Sequence, residues 1–217
     1  MKNLLQVTVE SHVFSARDFV AGDSAIDFVN TVTGRDQSPR DWLDSYARLL
    51  DWVVMAKLLP PGVLRQLRTK ATADPNAAAA ALKRAKVLRE QLFSLLAAVI
   101  SGRTPSRNSL ASLRESWIAG VSAHQLQFHC GRLVKGICND ADLGLIESVV
   151  AFRIVECVLA SPTDRLRICQ GPDCSWLFID SSKGGRRRWC DMAVCGNAAK
   201  SRRFNARSRD RRDVSRQ

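Results

Sequence analysis

Four cysteines near the end of the sequence constrain its fold more than any other feature. Cys169 and Cys174 form one close pair with four residues between them, and Cys190 and Cys195 form a second pair with the same spacing, after an interval of fifteen residues. Each pair can supply two corners of the thiolate tetrahedron that zinc prefers. We therefore predict one structural Zn2+ per chain, with two disulfides or an iron–sulfur cluster as the alternatives. Four protein ligands would leave no open position for hydrolytic zinc chemistry.

The residues around the cysteine pairs predict a small zinc finger made of a β-hairpin and a helix. Residues 176–180 have the pattern of a strand, and residues 182–185 have that of a turn. Residues 186–189 lead into the third cysteine, so we expect them to pair with the strand. Asn197, after Gly196, can cap a final helix. Three aromatic side chains would form a small core beside the metal: Trp176, Phe178 and Trp189.

Positive charge is concentrated in the same part of the chain. The formal net charge is +12. Residues 164–217 hold 14 Lys and Arg against 6 Asp and Glu, a net of +8, which leaves +4 for residues 1–163. This shift predicts a boundary between a larger domain, 1–163, and a zinc-finger domain, 164–217. A local excess of this size favours an anionic partner.

Basic side chains flank the metal site on both sides, and they are the candidate DNA contacts. Arginine reads guanine in the major groove, and phosphate contacts set the position of a protein on the duplex. RNA is an alternative, since stacking by Trp176 or Trp189 would suit a single strand. A rigid platform for an acidic protein partner is a second alternative. The candidate contacts are Arg186, Arg187, Arg188, Lys200, Arg202, Arg203 and Arg207.

The larger domain is predicted to be mainly helical, so the fold class is mainly α. Leu88, Leu92 and Leu95 recur at helical spacing in a segment that Asp74 and Pro75 open with a cap and a first-turn proline. Residues 126–138 alternate and predict one short β-hairpin. No phosphate loop, dinucleotide fingerprint or nucleophile elbow is present, so we do not expect an enzyme.

Three polar side chains lie together in an apolar segment of this domain. If residues 24–31 are helical, Asp27, Asn30 and Thr31 share one face. Buried polar groups need partners. These three either hold neighbouring backbone in place or line a pocket for a small-molecule effector.

The sequence has no apolar run near the ~20 residues that a membrane-spanning helix needs. The first residues, from Met1 to Leu5, lack the features of a signal peptide. We therefore expect a cytoplasmic protein with no membrane association, in which cysteines stay reduced and available to metal.

The segment from Cys169 to Arg203 resembles the CGNR zinc finger. The shared features are the two cysteine pairs, the strand Trp176-Leu-Phe-Ile-Asp180, the segment Arg187-Arg-Trp-Cys190 and the string Cys195-Gly196-Asn197. The earlier part resembles the ABATE domain, through Gly22, the string from Ile26 to Thr31 and Leu88-Arg89-Glu90. One departure is Ala198, which stands where the CGNR family has arginine.

The resemblance implies a bacterial, stress-responsive transcription regulator. Its zinc finger would bind DNA, and its helical domain would act as a sensor. A regulator that binds paired half-sites is expected to form a homodimer.

Overall fold

The computed structural model describes residues 6–138, 141–160 and 163–214, with side chains up to residue 205. Seven α-helices account for most of the described chain: α1 Ser24–Val29, α2 Tyr46–Met55, α3 Pro61–Ala73, α4 Pro75–Ile100, α5 Arg107–Ala123, α6 Leu145–Ala160 and α7 Asn197–Val214. The fold is mainly α, as predicted.

Seven short strands form three small sheets: β1 Thr8–Val9, β2 Val32–Thr33, β3 Arg40–Asp41, β4 His124–His129, β5 Arg132–Ile137, β6 Leu166–Ile168 and β7 Leu177–Ile179. In the first sheet β3 lies between β1, which is parallel to it, and β2, which is antiparallel. The strands β4 and β5 form the predicted hairpin. The strands β6 and β7 pair in the finger.

Local capping explains where the helices begin. Asp74 accepts a hydrogen bond from the Ala77 backbone N–H at 2.9 Å, and Pro75 occupies the first turn of α4, as the sequence predicted. Asp23 caps α1 in the same way through the N–H of Ala25. Each cap satisfies a backbone donor that the helix itself leaves free.

The hairpin in the finger has a different partner strand from the one predicted. The strand β7 pairs with β6, which precedes the first cysteine, and residues 186–189 form no strand. The strand β6 is the partner because the first cysteine pair lies in the loop between β6 and β7 and closes it. At the base of this loop the Cys169 N–H donates to the Trp176 carbonyl at 2.7 Å. The later segment contacts this loop at Gln170, whose N–H donates to the Arg188 carbonyl and whose side-chain oxygen accepts from the Nε of Arg188.

One hydrophobic core runs through the helical part and the finger. Phe28, Trp52 and Leu92 are buried in the same cluster as Leu177 and Phe178 of β7. The small core expected beside the metal is therefore continuous with the core of the helices. Burial of β7 removes apolar area from water in both parts, and this is the main favourable term in folding.

No helix in the described part of the chain is long and apolar enough to cross a bilayer.

Candidate metal centre and basic surface

The four cysteine sulfurs meet at one point in the finger. The Sγ atoms of Cys169, Cys174, Cys190 and Cys195 all lie within 4.8 Å of one another. The Sγ of Cys190 is 3.7 Å from that of Cys174 and 3.7 Å from that of Cys195. A zinc ion with Zn–S bonds of about 2.3 Å sets the sulfurs of a tetrahedron about 3.8 Å apart, whereas a disulfide requires about 2.0 Å. The four thiols are unbridged and buried, and they form a site for one structural zinc.

Backbone groups support the cysteines at close range. The N–H groups of Gly171 and Cys190 each donate to the Sγ of Cys169 at 3.3 Å. Hydrogen bonds among the thiols lower the pKa of Cys169, with Cys174 as the first cause, and raise the pKa of Cys174 and Cys190, with Cys169 as the first cause. Cys169 is therefore the first of these three to ionise. A Cβ at Gly171 would lie 2.7 Å from the Cβ of Cys195, so the loop admits no side chain there.

Arg187 is used within the finger. Its Nε donates to the Trp189 carbonyl at 2.8 Å, and its Nη2 donates to the Cys190 carbonyl. Its guanidinium also lies 4.9 Å from the centre of the Phe178 ring. These contacts hold the backbone beside the third metal ligand. A DNA contact from Arg187 would compete with them.

Asp180 organises the loop between β7 and the second cysteine pair. Its buried carboxylate accepts hydrogen bonds from the N–H and hydroxyl of Ser182, and from the N–H of Arg187. The hydrogen bond from the Ser182 hydroxyl is the first cause of a lowered pKa of Asp180. The loop is therefore held by a carboxylate and not by strand pairing.

The first cysteine pair is anchored to the helical part. The Gly34 N–H donates to the Cys174 carbonyl at 2.9 Å. The Ser38 hydroxyl and the guanidinium of Arg40 donate to the carboxylate of Asp173 at 2.7 and 3.1 Å. The zinc site is thus fixed relative to the segment that joins α1 to β3.

Asn30 joins α1 to β7 through both ends of its amide. Its Nδ2 donates to the Leu177 carbonyl at 2.9 Å, and its Oδ1 accepts from the Leu177 N–H at 2.8 Å. A second link lies beside it, because the Ile179 N–H donates to the Ala21 carbonyl while the Ala21 N–H donates to the carboxylate of Asp27. Burial raises the pKa of Asp27 to about 7.

Thr31 belongs to a buried charged network that sequence reasoning missed. Its hydroxyl donates to the Phe28 carbonyl and accepts from Arg89. Arg89 also binds both carboxylate oxygens of Asp41, at 2.8 and 2.9 Å, and Lys86 reaches the same carboxylate at 2.9 Å. The only sequence signal was an arginine among the leucines of α4.

The three polar side chains in and after α1 therefore all have partners inside the chain. This geometry favours the alternative in which Asp27, Asn30 and Thr31 hold neighbouring backbone in place. A role for them in binding an effector stays a prediction.

The other candidate DNA contacts whose side chains are described face solvent. Arg186 is exposed, and Arg188 is exposed while its Nε donates to the side chain of Gln170. Lys200, Arg202 and Arg203 are exposed on α7, which begins two residues after the last cysteine. The side chain of Arg207 lies outside the described residues. The structure thus brings an exposed cationic helix to the edge of the metal site.

Two family models match the chain. The CGNR zinc finger matches residues 165–208. The ABATE model, described as "Putative stress-induced transcription regulator", matches residues 22–151, more than half of the chain. A search of curated proteins found no match. The first match contains the four cysteines, and the second contains Asn30 and the network around Arg89.

Proposed function

Because the chain belongs to the ABATE family and carries a CGNR zinc finger, we propose that it is a DNA-binding transcription regulator. Zinc has a structural role in it, since four cysteines fill a tetrahedral coordination shell. The metal holds the start of α7 in place and takes no part in chemistry.

The observation that carries this proposal is the position of α7. The helix starts at Asn197, two residues after Cys195, and the described side chains of its first turns are mainly exposed. Lys200 and Arg203 lie three residues apart and therefore on neighbouring positions of one helix surface. A helix held at one end by a rigid metal site can present these cations to phosphates or to base edges.

The proposed DNA contacts are those basic side chains that the finger leaves available. Arg187 is omitted, because its guanidinium holds the backbone at Trp189 and Cys190. The set is Arg186, Arg188, Lys200, Arg202, Arg203 and Arg207.

Fluorescence anisotropy with zinc-loaded protein and random-sequence duplex DNA tests the proposal. Binding should weaken steeply with salt, with a log–log slope of about −0.9 for each phosphate neutralised. Arg203→Ala should reduce the magnitude of this slope by about 1. Arg114→Ala, which removes an exposed arginine from α5, is the matched control and should leave the slope unchanged. Failure to bind duplex DNA at low salt would refute the proposal.

Single-stranded RNA is less well supported than duplex DNA. Trp176 is only 8% exposed and meets Trp42 edge to face, so little of its ring is exposed at the surface for stacking on a strand of bases. Trp189 is partly buried, and Arg188 lies 5.4 Å from its ring centre. The same titration with single-stranded DNA and RNA separates these ligands. A protein partner that co-purifies after nuclease treatment would favour the interaction-module alternative.

The proposed regulator acts in the cytoplasm, as a homodimer on paired half-sites, responds to a small-molecule effector and has no catalytic activity. Sedimentation velocity checks the assembly, since the chain mass is 24.0 kDa. A single species at the monomer mass under DNA-binding conditions would contradict the dimer.

A further inference from the structure

A cavity of about 400 Å3 lies where the helical part, the zinc site and α7 meet. His12 and Trp42 form its wall in the helical part, and Trp176 forms the wall in the finger. Val194, in the second cysteine loop, and Ala198, in the first turn of α7, also line it. The lining further includes three metal-ligand cysteines and three aspartates: Cys174, Cys190, Cys195, Asp18, Asp173 and Asp191. Cavities of about 300–1,000 Å3 hold small molecules in many proteins.

Three aromatic rings, those of His12, Trp42 and Trp176, line one part of this cavity. The rings of His12 and Trp42 stack with centres 3.9 Å apart and planes 9° apart. The rings of Trp42 and Trp176 lie 5.6 Å apart at 83°. Flat, rigid walls of this kind suit a planar ring, which can add one more stacked or edge-to-face contact.

Two donor groups of the lining residues lack a hydrogen-bond acceptor. The Nε of Arg40 and the Nε1 of Trp176 are buried, and neither has a hydrogen-bond partner among the described residues. The carboxylates beside them already have donors: His12 and Ser15 contact Asp18, and Ser38 and Arg40 contact Asp173. Unpaired buried donors are costly, and an acceptor that reached them would remove this cost.

We propose that this cavity binds a small aromatic carboxylate. The ring packs against the parts of Trp42 and Trp176 that line the cavity, and a modest side-chain shift brings the carboxylate to the free N–H groups of Arg40 and Trp176. Arginine favours a charged acceptor over a neutral one. The occupant also contacts Val194 and Ala198, and so it joins the helical part to the start of α7.

An effect of this ligand on DNA binding rests on the proposed function above. The binding site itself does not, because occupancy can be measured on the full chain without DNA. Failure of the ligand to bind can therefore be distinguished from failure of the protein to bind DNA.

Isothermal titration calorimetry with 2-naphthoate tests the site on the zinc-loaded full chain. We expect saturable binding at one site, and binding at least tenfold weaker for 2-naphthamide, which has the same rings and no charge. Trp176→Phe keeps an aromatic ring but removes the N–H, and it should weaken 2-naphthoate binding about tenfold, the effect of losing one hydrogen bond to a charged group. Ala198→Phe fills the cavity from an exposed position and should abolish binding.

Trp189→Phe is the matched control, because it is the same substitution in the same finger at a residue outside this cavity. Its affinity for 2-naphthoate should stay within about twofold of the original chain. Absence of saturable binding at millimolar 2-naphthoate would overturn the proposal. Equal losses in Trp176→Phe and Trp189→Phe, or unchanged binding in Ala198→Phe, would also overturn it.

Discussion

Replacing Asn30 with alanine should destabilise the protein and loosen the finger from the helices. Asn30 is only 2% exposed. Its side-chain amide makes hydrogen bonds to both the N–H and the carbonyl of Leu177. Asn30→Ala leaves both groups buried without a partner. At about 1–3 kcal/mol for each, the expected loss in the free energy of unfolding is about 2–6 kcal/mol.

Urea unfolding at a fixed excess of zinc measures this loss, because bound metal adds to the apparent stability and must be held constant. Asn30→Asp keeps an acceptor for the Leu177 N–H but places a second carboxylate oxygen against the Leu177 carbonyl, so it tests whether the amide donor is required. Asn108→Ala, at an exposed position in α5, is the control and should change stability by less than about 0.5 kcal/mol.

Hydrogen exchange at the Leu177 amide tests whether the effect is local. Its protection should fall more than that of amides in α4, because the lost acceptor is the side chain of Asn30 itself. A stability loss below about 1 kcal/mol, with an unchanged exchange rate at Leu177, would refute the reasoning.

Three further substitutions test the contacts around the zinc finger. Because burial raises the pKa of Asp27 from 3.8 to about 7, the folded state binds this proton more tightly than the unfolded state does, so its contribution to stability falls as pH rises from about 4 to 7. Asp27→Asn should therefore be more stable than the original chain at pH 8 by up to about 4 kcal/mol, and this advantage in urea unfolding should shrink at pH 5. Arg89→Met removes the guanidinium that binds both oxygens of the buried Asp41 carboxylate, and it should lower the free energy of unfolding in the same assay by about 3–5 kcal/mol. Gly34→Ala would place a Cβ 2.5 Å from a backbone oxygen and should lower zinc affinity in a chelator competition, whereas Gly102→Ala, with the same positive φ and open space, should not. Equal zinc affinities in the two glycine variants would contradict the proposed anchoring of the metal site.

Local sequence signals were enough to predict much of the fold. A cap such as Asp74 acts on backbone groups only a few residues away, so the start of α4 could be predicted from the sequence. The four metal ligands could be predicted for a similar reason, since each cysteine pair supplies two ligands from one short loop. The correct fold class follows from many such local choices along the helices.

Contacts between distant segments could not be predicted in this way. The sequence predicted residues 186–189 as the partner of β7, but the closure of the first cysteine loop places β6 there instead. The partner of Asn30 lies 147 residues further along the chain. Nothing in the local pattern distinguishes an asparagine that binds a strand from one that lines a pocket.

The sequence by itself determined the mainly helical class, the four metal ligands and the location of the positive charge, because each depends on residue type and near spacing. Only the tertiary structure decided how these features are used. Burial against the helices fixed β7 and the zinc site in place, turned Arg187 from an available cation into a support of the metal loop, and left Lys200 and Arg203 facing solvent. Burial and pairing of polar groups depend on which segments meet in space, and that is a property of the packed chain.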